Sequence, residues 1–199
     1  MKTLYSILIF VILNQSMMSQ NNKLGIYKSI QDFHAKRSSV IVDSTHRKRA
    51  IQASNFFLSP NLFYYSDNVR KKIPMDSVYA YIDYKGRIYR IWHRASWLLC
   101  DSGEITIYSQ VVCHKITVRT SRGNRYNYKQ MTDYFFSFNN SSSIFPLITS
   151  NLQSVYGYDE HVMQKLLKDF PDSKSLNAKN ETGFLIKFFI RDQINKKED

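Results

Sequence analysis

The chain has 199 residues, of which 43% are hydrophobic and 15% aromatic, with only two cysteines, six glycines and four prolines. That composition excludes a disordered, collagen-like or disulfide-scaffolded chain and leaves enough apolar material for one ordinary core. The formal net charge of +12 favours acidic partners through its summed field and says nothing about fold or chemistry. The excess is uneven. Residues 36–129 hold 17 basic and 6 acidic side chains, whereas 130–199 hold 8 and 9.

The first segment, "MKTLYSILIFVILNQSMMSQ", places one cation, Lys2, ahead of an apolar run from Leu4 to Leu13 and a polar, small-residue stretch. That is the order of parts in a secretory signal peptide, and the run is too short to span a bilayer. Cleavage after Ser19 is expected, leaving residues 20–199 as one exported domain, periplasmic or extracellular. No later stretch is long and apolar enough to be a membrane helix.

Next, "GIYKSIQDFHAKRSS" mixes helical and extended signals, "VIVD" at 40–43 reads as a short strand, and "HRKRA" and "VRKKIP" read as solvated basic loops or strand ends. From residue 76 the pattern is one of strands. In "DSVYAYIDYKG", Val78, Ala80 and Ile82 alternate with Tyr79, Tyr81 and Asp83, the period of a strand. Lys85-Gly86 then turns the chain into "RIYRIWHRA", a hairpin over 76–94. "CDSGE" joins "WLLC" to "ITIYSQVV". The apolar parity switches near His114, where a bulge or break is expected. "TSRGN" is a further turn, and "RYNYKQMTDYFFSF" resumes extended structure.

After "NNSSS" the period becomes helical. Thr149 or Ser150 can cap a helix carrying Leu152, Val155 and Tyr156, with Gly157 closing it. Asp159 can cap "EHVMQKLLKDF", whose Val162, Met163, Leu166, Leu167 and Phe170 form one stripe ended by Pro171. A last helix over about 181–194 puts Phe184, Leu185, Phe188 and Phe189 on one side, as core. The reading is an α+β fold: an antiparallel sheet of about six strands (40–138) followed by two or three C-terminal helices (145–195) packed on it.

Three features together resemble the uncharacterised exported proteins of Bacteroidetes. They are the leader ending in Ser-Gln, the start "GIYKSIQDF", and "YFFSFNNSSSIFPLITSNLQSVYG" running into two helices. The resemblance implies a compartment and a source. It implies no catalytic residues.

The chemistry-bearing residues are sparse. Cys100 and Cys113 could pair in an oxidising compartment, but a continuous strand from Ile105 to Cys113 would hold them apart, so two buried free thiols are expected. His34, His46, His93, His114 and His161 show no metal-ligand spacing, and no metal or cofactor is expected. No G-x-S-x-G turn occurs, and a Cys–His dyad of Cys100 with His93 or His114 would have to be assembled by folding. Asp76, Asp83, Asp101 and Glu104 lie beside turns, where acids serve turn chemistry. "GIY" at 25–27 has no "YIG" after it and so carries no nuclease reading.

"RIYRIWHRASW" at 87–97 interleaves cations with aromatic rings, as a nucleic-acid surface does. A half-buried strand whose Arg stems cover a Trp gives the same pattern and is the reading preferred here. If it is one strand, Arg90, Trp92 and Arg94 share a face. The function expected is non-enzymatic binding or structural association in the cell envelope. One alternative is a polyanion-binding module using Arg87, Arg90, Arg94, Arg119, Arg122 and Arg125, with an acidic envelope polymer or another envelope protein as partner and nucleic acid disfavoured by export. The other is a hydrolase whose site only folding brings together.

Overall fold

The computed structural model describes residues 24–53, 60–121, 123–157 and 160–198; the expected signal peptide, Arg122 and the cap Asp159 lie outside the described residues. The chain opens with β1 (Gly25–Tyr27) and a short α1 (Ile30–His34), whose cap Ser29 accepts from the Asp32 amide. Three strands follow as a small antiparallel sheet: β2 (Ile51–Gln52), β3 (Asn61–Ser66) and β4 (Val69–Pro74). "VRKKIP" is therefore a full strand rather than a loop, paired along its length with β3 through a tight turn at Asp67-Asn68, both in the left-handed region. Asp and Asn tolerate that region better than most residues.

The main sheet adds β5 (Ala80–Ile82), β6 (Ile88–Trp92), β7 (Ala95–Asp101), β8 (Thr106–Thr120), β9 (Gly123–Ser137) and β10 (Phe145–Pro146). It has seven antiparallel strands in the order β1-β5-β6-β7-β8-β9-β10. The C-terminal part supplies α2 (Thr149–Tyr156), α3 (Glu160–Asp169), a single-turn α4 (Ser173–Leu176), the small hairpin β11 (Lys179–Asn180) and β12 (Gly183–Phe184), and α5 (Leu185–Glu198). The fold is α+β, as the sequence indicates.

One face of the main sheet is covered twice. Ile107 and Phe136 pack under Leu152 of α2, Leu166 of α3 and Ile186, Phe189 and Ile190 of α5. At the other end Tyr81 and Ile91 pack with Leu62, Ile73 and Met75 of the small sheet and its flank. Asp101, at the end of β7, ties α5 to this face: its carboxylate accepts from Lys187 Nζ at 2.5 Å and from the Phe184 amide at 3.2 Å. Gly183 lies against that carboxylate at a φ of 129°, where a Cβ would run into Asp101.

Several expectations need correction. β8 and β9 stay in register from Thr106↔Ser137 to Thr120↔Gly123, so no bulge interrupts them near His114. The parity switch there marks the place where the strand leaves the core, not a kink. The irregularity lies in β7 instead, between Leu99 and Asp101. At 40–43 only Val40 bridges to Ile26. Ile148, not Thr149 or Ser150, occupies the cap position of α2, with no side-chain bond, while Gly157 closes the helix at φ 58° as expected. On α3, Leu166 is buried but Leu167 is exposed, and Phe170, one residue past the helix, is buried. Phe184 precedes α5, where Ile186, Phe189 and Ile190 are buried while Leu185 is exposed. Phe184 is fixed in β12, outside the helix, and the helical stripe runs through Ile186, Phe189 and Ile190 instead.

Candidate functional site

"RIYRIWHRASW" is not one strand. β6 ends at Trp92, and His93 and Arg94 form the turn with φ of 48° and 60°. Two-residue turns of this hand need positive φ at both positions, which is why Asn-Gly is their usual signal; His-Arg gives no such signal. Arg94 therefore leaves the Arg90–Trp92 face and meets Asp76, Nη2 to Oδ2 at 2.8 Å. Arg87 is held by Asp83, its Nε 2.8 Å from Oδ2, and the hydrogen bond raises the guanidinium's already high pKa. The same Asp83 carboxylate accepts from the Lys85 and Arg87 amides. That is the turn chemistry expected of it.

Arg90 is 3% exposed. Its guanidinium donates to Tyr108 Oη at 3.2 Å and to the Ser142 carbonyl at 2.7 Å, and lies over Trp92, Tyr79 and Tyr108. Among the described residues it makes no ion pair, so one carbonyl, the Tyr108 and Ser137 hydroxyls and three ring faces solvate a buried cation. They hold down the loop "NNSSS". Tyr79 Oη donates to the Asn140 carbonyl at 2.6 Å, Thr106 Oγ1 to Asn140 Oδ1, and Ser137 Oγ to the Asn139 carbonyl. Burial pushes the Tyr79 phenol up to about 12. Arg90 is thus a structural cation, and the preferred reading of this stretch holds for it.

The remaining cations stand elsewhere. β8 and β9 are each 15 residues long, but their neighbours reach only their inner ends: β7 pairs with β8 up to Ser109, and β10 with β9 at Phe135 and Phe136. Beyond that no strand among the described residues pairs with them, and 111–121 and 123–132 run as a free ribbon. At about 3.3 Å per residue, ten residues a side carry it about 33 Å outward. The segment contains Lys115, Arg119, Arg122, Arg125 and Lys129 and no Asp or Glu.

Pairing assigns its faces. Val111·Thr132, Cys113·Gln130, Lys115·Tyr128, Thr117·Tyr126 and Arg119·Asn124 share the face that continues from Ile107 and Phe136. Val112·Met131, His114·Lys129, Ile116·Asn127 and Val118·Arg125 share the other. Both faces meet water: Val111 is 65% and Tyr128 71% exposed, and Ile116, Val118, Tyr126 and Met131 are exposed as well. Lys115 Nζ lies 3.7 Å from the centre of the Tyr126 ring. His114 Nε2 and Asp133 Oδ2 are 2.8 Å apart at the ribbon's base.

Of the six arginines named from the sequence, the five that lie among the described residues do not make one surface. Arg87 and Arg94 are ion-paired, Arg90 is buried, and Arg119 and Arg125 stand near the ribbon tip on opposite faces. Lys115 and Lys129 belong with the last two and were missed. The available signal was the absence of any acid over 22 residues of alternating strand.

The two thiols are free, and both are exposed, not buried as expected. The Cys100 side chain lies 3.1 Å from Ser109 Oγ; Cys113 sits on the ribbon and faces away from its neighbour His114. Among the described residues no group of three His, Cys, Asp or Glu side chains could hold a metal ion, and no helix is long and apolar enough to cross a membrane. No protein-family model, no curated protein and no solved structure matches the chain.

Proposed function

We propose that this protein is an exported envelope protein that acts by binding and not by catalysis, and that the free ribbon of β8 and β9 is its holding element for an anionic partner. The leader-like first twenty residues and the resemblance to exported Bacteroidetes proteins support the compartment. The ribbon supports the binding role. Its five cations stand in 22 residues without one carboxylate, on a segment exposed on both faces. A ribbon kept only for stability would bury one face; this one leaves both in water, where apolar surface is retained only at a cost in solubility.

The test is a salt series. Binding of the purified protein to a soluble polyanion such as dextran sulfate, and to anionic vesicles, is expected to weaken steeply as ionic strength rises, because each contact releases counterions. Replacing Arg119, Arg125 and Lys129 together by Gln should flatten that slope. Affinity that does not change with salt, or with the triple substitution, ends the proposal.

A further inference from the structure

The face of the main sheet turned away from the helices carries an aromatic and aliphatic stripe. Both tryptophans of the chain lie on it. Trp92 and Trp97 flank Arg90, Trp97 meets Phe135 edge-on with ring centres 4.6 Å apart, and Leu99 stands beside them. All four apolar side chains are only half-buried. From Phe135 the same face continues onto the ribbon through Val112·Met131 and Ile116 to Val118, with Lys129 and Arg125 interleaved. The stripe is some ten residues of strand, or about 33 Å. Its single acid, Asp133, is engaged with His114.

Resting on the proposed binding role of the ribbon, we infer that this stripe lies on an anionic lipid surface, with Trp97, Phe135, Met131, Ile116 and Val118 at the headgroup boundary and Lys129 and Arg125 on the lipid phosphates. Two physical arguments select this occupant. A soluble polyanion would answer the cations but leave the aliphatic and indole surface in water. A second copy would cover the apolar surface but set Lys129 and Arg125 against their own kind. A bilayer of anionic lipid offers both charges and an apolar boundary, which is how amphipathic elements hold to membranes. The Trp97 indole N–H is already satisfied by the Trp92 carbonyl at 3.1 Å, so its ring can lie against the apolar boundary without leaving a donor unpaired. Depth is limited by the backbone. Beyond β7 and β10 the ribbon's outer edges have no strand beside them among the described residues, and unpaired peptide groups need water, so the ribbon rests at the headgroup level and does not enter the hydrocarbon.

The experiment uses the native tryptophans. The purified protein is mixed with vesicles of phosphatidylcholine alone, with vesicles containing phosphatidylglycerol, and with dextran sulfate. Co-sedimentation with the anionic vesicles only, a blue shift of tryptophan emission and its quenching by brominated lipid are the expected results. Neutralising Arg125 and Lys129 to Gln should weaken vesicle binding about fivefold per cation, while Ile116→Thr with Val118→Thr should abolish the part that survives high salt. Binding to dextran sulfate without binding to vesicles, or vesicle binding with unchanged emission, overturns the lipid inference and leaves the anionic-partner reading standing. Binding to neither removes both. A dimer in sedimentation velocity that the Ile116→Thr, Val118→Thr variant dissolves would assign the stripe to a second copy instead.

Discussion

The two halves of the β8–β9 hairpin are the same structure in two environments. At its base, Thr106, Ile107, Tyr108, Phe136 and Ser137 are buried, with helices on one face and Arg90 and its loop on the other. From 111 to 132 the ladder continues in unbroken register with neither face covered. Backbone pairing is therefore indifferent to burial over this length, and the side chains carry the distinction. In the buried half a side chain is fixed by volume and by satisfied hydrogen bonds. In the free half it answers only to its neighbour across the ribbon and to solvent, so selection there can act on charge and on surface chemistry without disturbing the fold.

The largest effects should come from the base. Phe136→Ala removes a fully buried ring from under α2, α3 and α5, and a chemical-denaturation experiment should show a loss of about 4 kcal/mol. A loss under 1 kcal/mol would mean that the helices do not close over this face. Arg90→Ala should cost about 3 kcal/mol, since the Ser142 carbonyl and the surrounding rings lose their cation. Amide exchange near Ser142 should accelerate in the same variant, because Arg90 is the tether of that end of the loop, while Tyr79, Thr106 and Ser137 hold Asn139 and Asn140. Unchanged exchange would detach the loop from Arg90.

An alkaline limb follows from the buried phenols. Burial raises the phenols of Tyr27, Tyr79, Tyr81 and Tyr89, that of Tyr79 to about 12. A phenol that ionises near 10 in the unfolded chain and later in the folded one keeps its stabilising contribution below pH 10. That contribution is lost as pH climbs from 10 through the folded value. Tyr79 is partly exposed, so its share is discounted to about 1 kcal/mol. Tyr79→Phe should flatten the fall in stability between pH 10 and 12 while losing the bond to Asn140 at neutral pH. A variant as alkali-sensitive as the parent would shift the cause to the other phenols.

The sequence discloses the base of this molecule better than its ribbon. Period-two alternation marks β5 and the start of β8, and the pattern ending in Gly157 marks α2; at Ile105, Ile107 and Leu152 a buried face forces apolar residues into one parity or one stripe. Where no face is buried that constraint lapses, and the parity switch at His114 looks like a bulge though the ladder is straight. The His93-Arg94 turn is hidden for a different reason: neither residue favours positive φ, so the sequence reads as a strand running on, with Arg94 on the wrong face. The burial of Arg90 is hidden as well. Its partners, Tyr108 and the Ser142 carbonyl, lie 18 and 52 residues away, and nothing local distinguishes a cation caged by rings from one that stands in water.

The smallest expected effect tests the comparison most sharply. Val118 and Ile116 are β-branched residues on a free ribbon, flanked by Arg125 and Asn127 across the ladder. Replacing both with Thr keeps the branching, and with it the strand preference, while removing apolar surface that already faces water. Such surface substitutions should leave global stability within about 0.5 kcal/mol of the parent. At buried positions the same changes would exchange a methyl (Val) or an ethyl group (Ile) for a hydroxyl left without a partner. If the double variant instead melts several degrees lower as a monomer, the ribbon is folded back on something in solution and its outer half is no freer than its base. If stability is flat while binding to anionic vesicles fails, these two side chains serve a partner and not the fold, which is the distinction that the two halves of the hairpin draw.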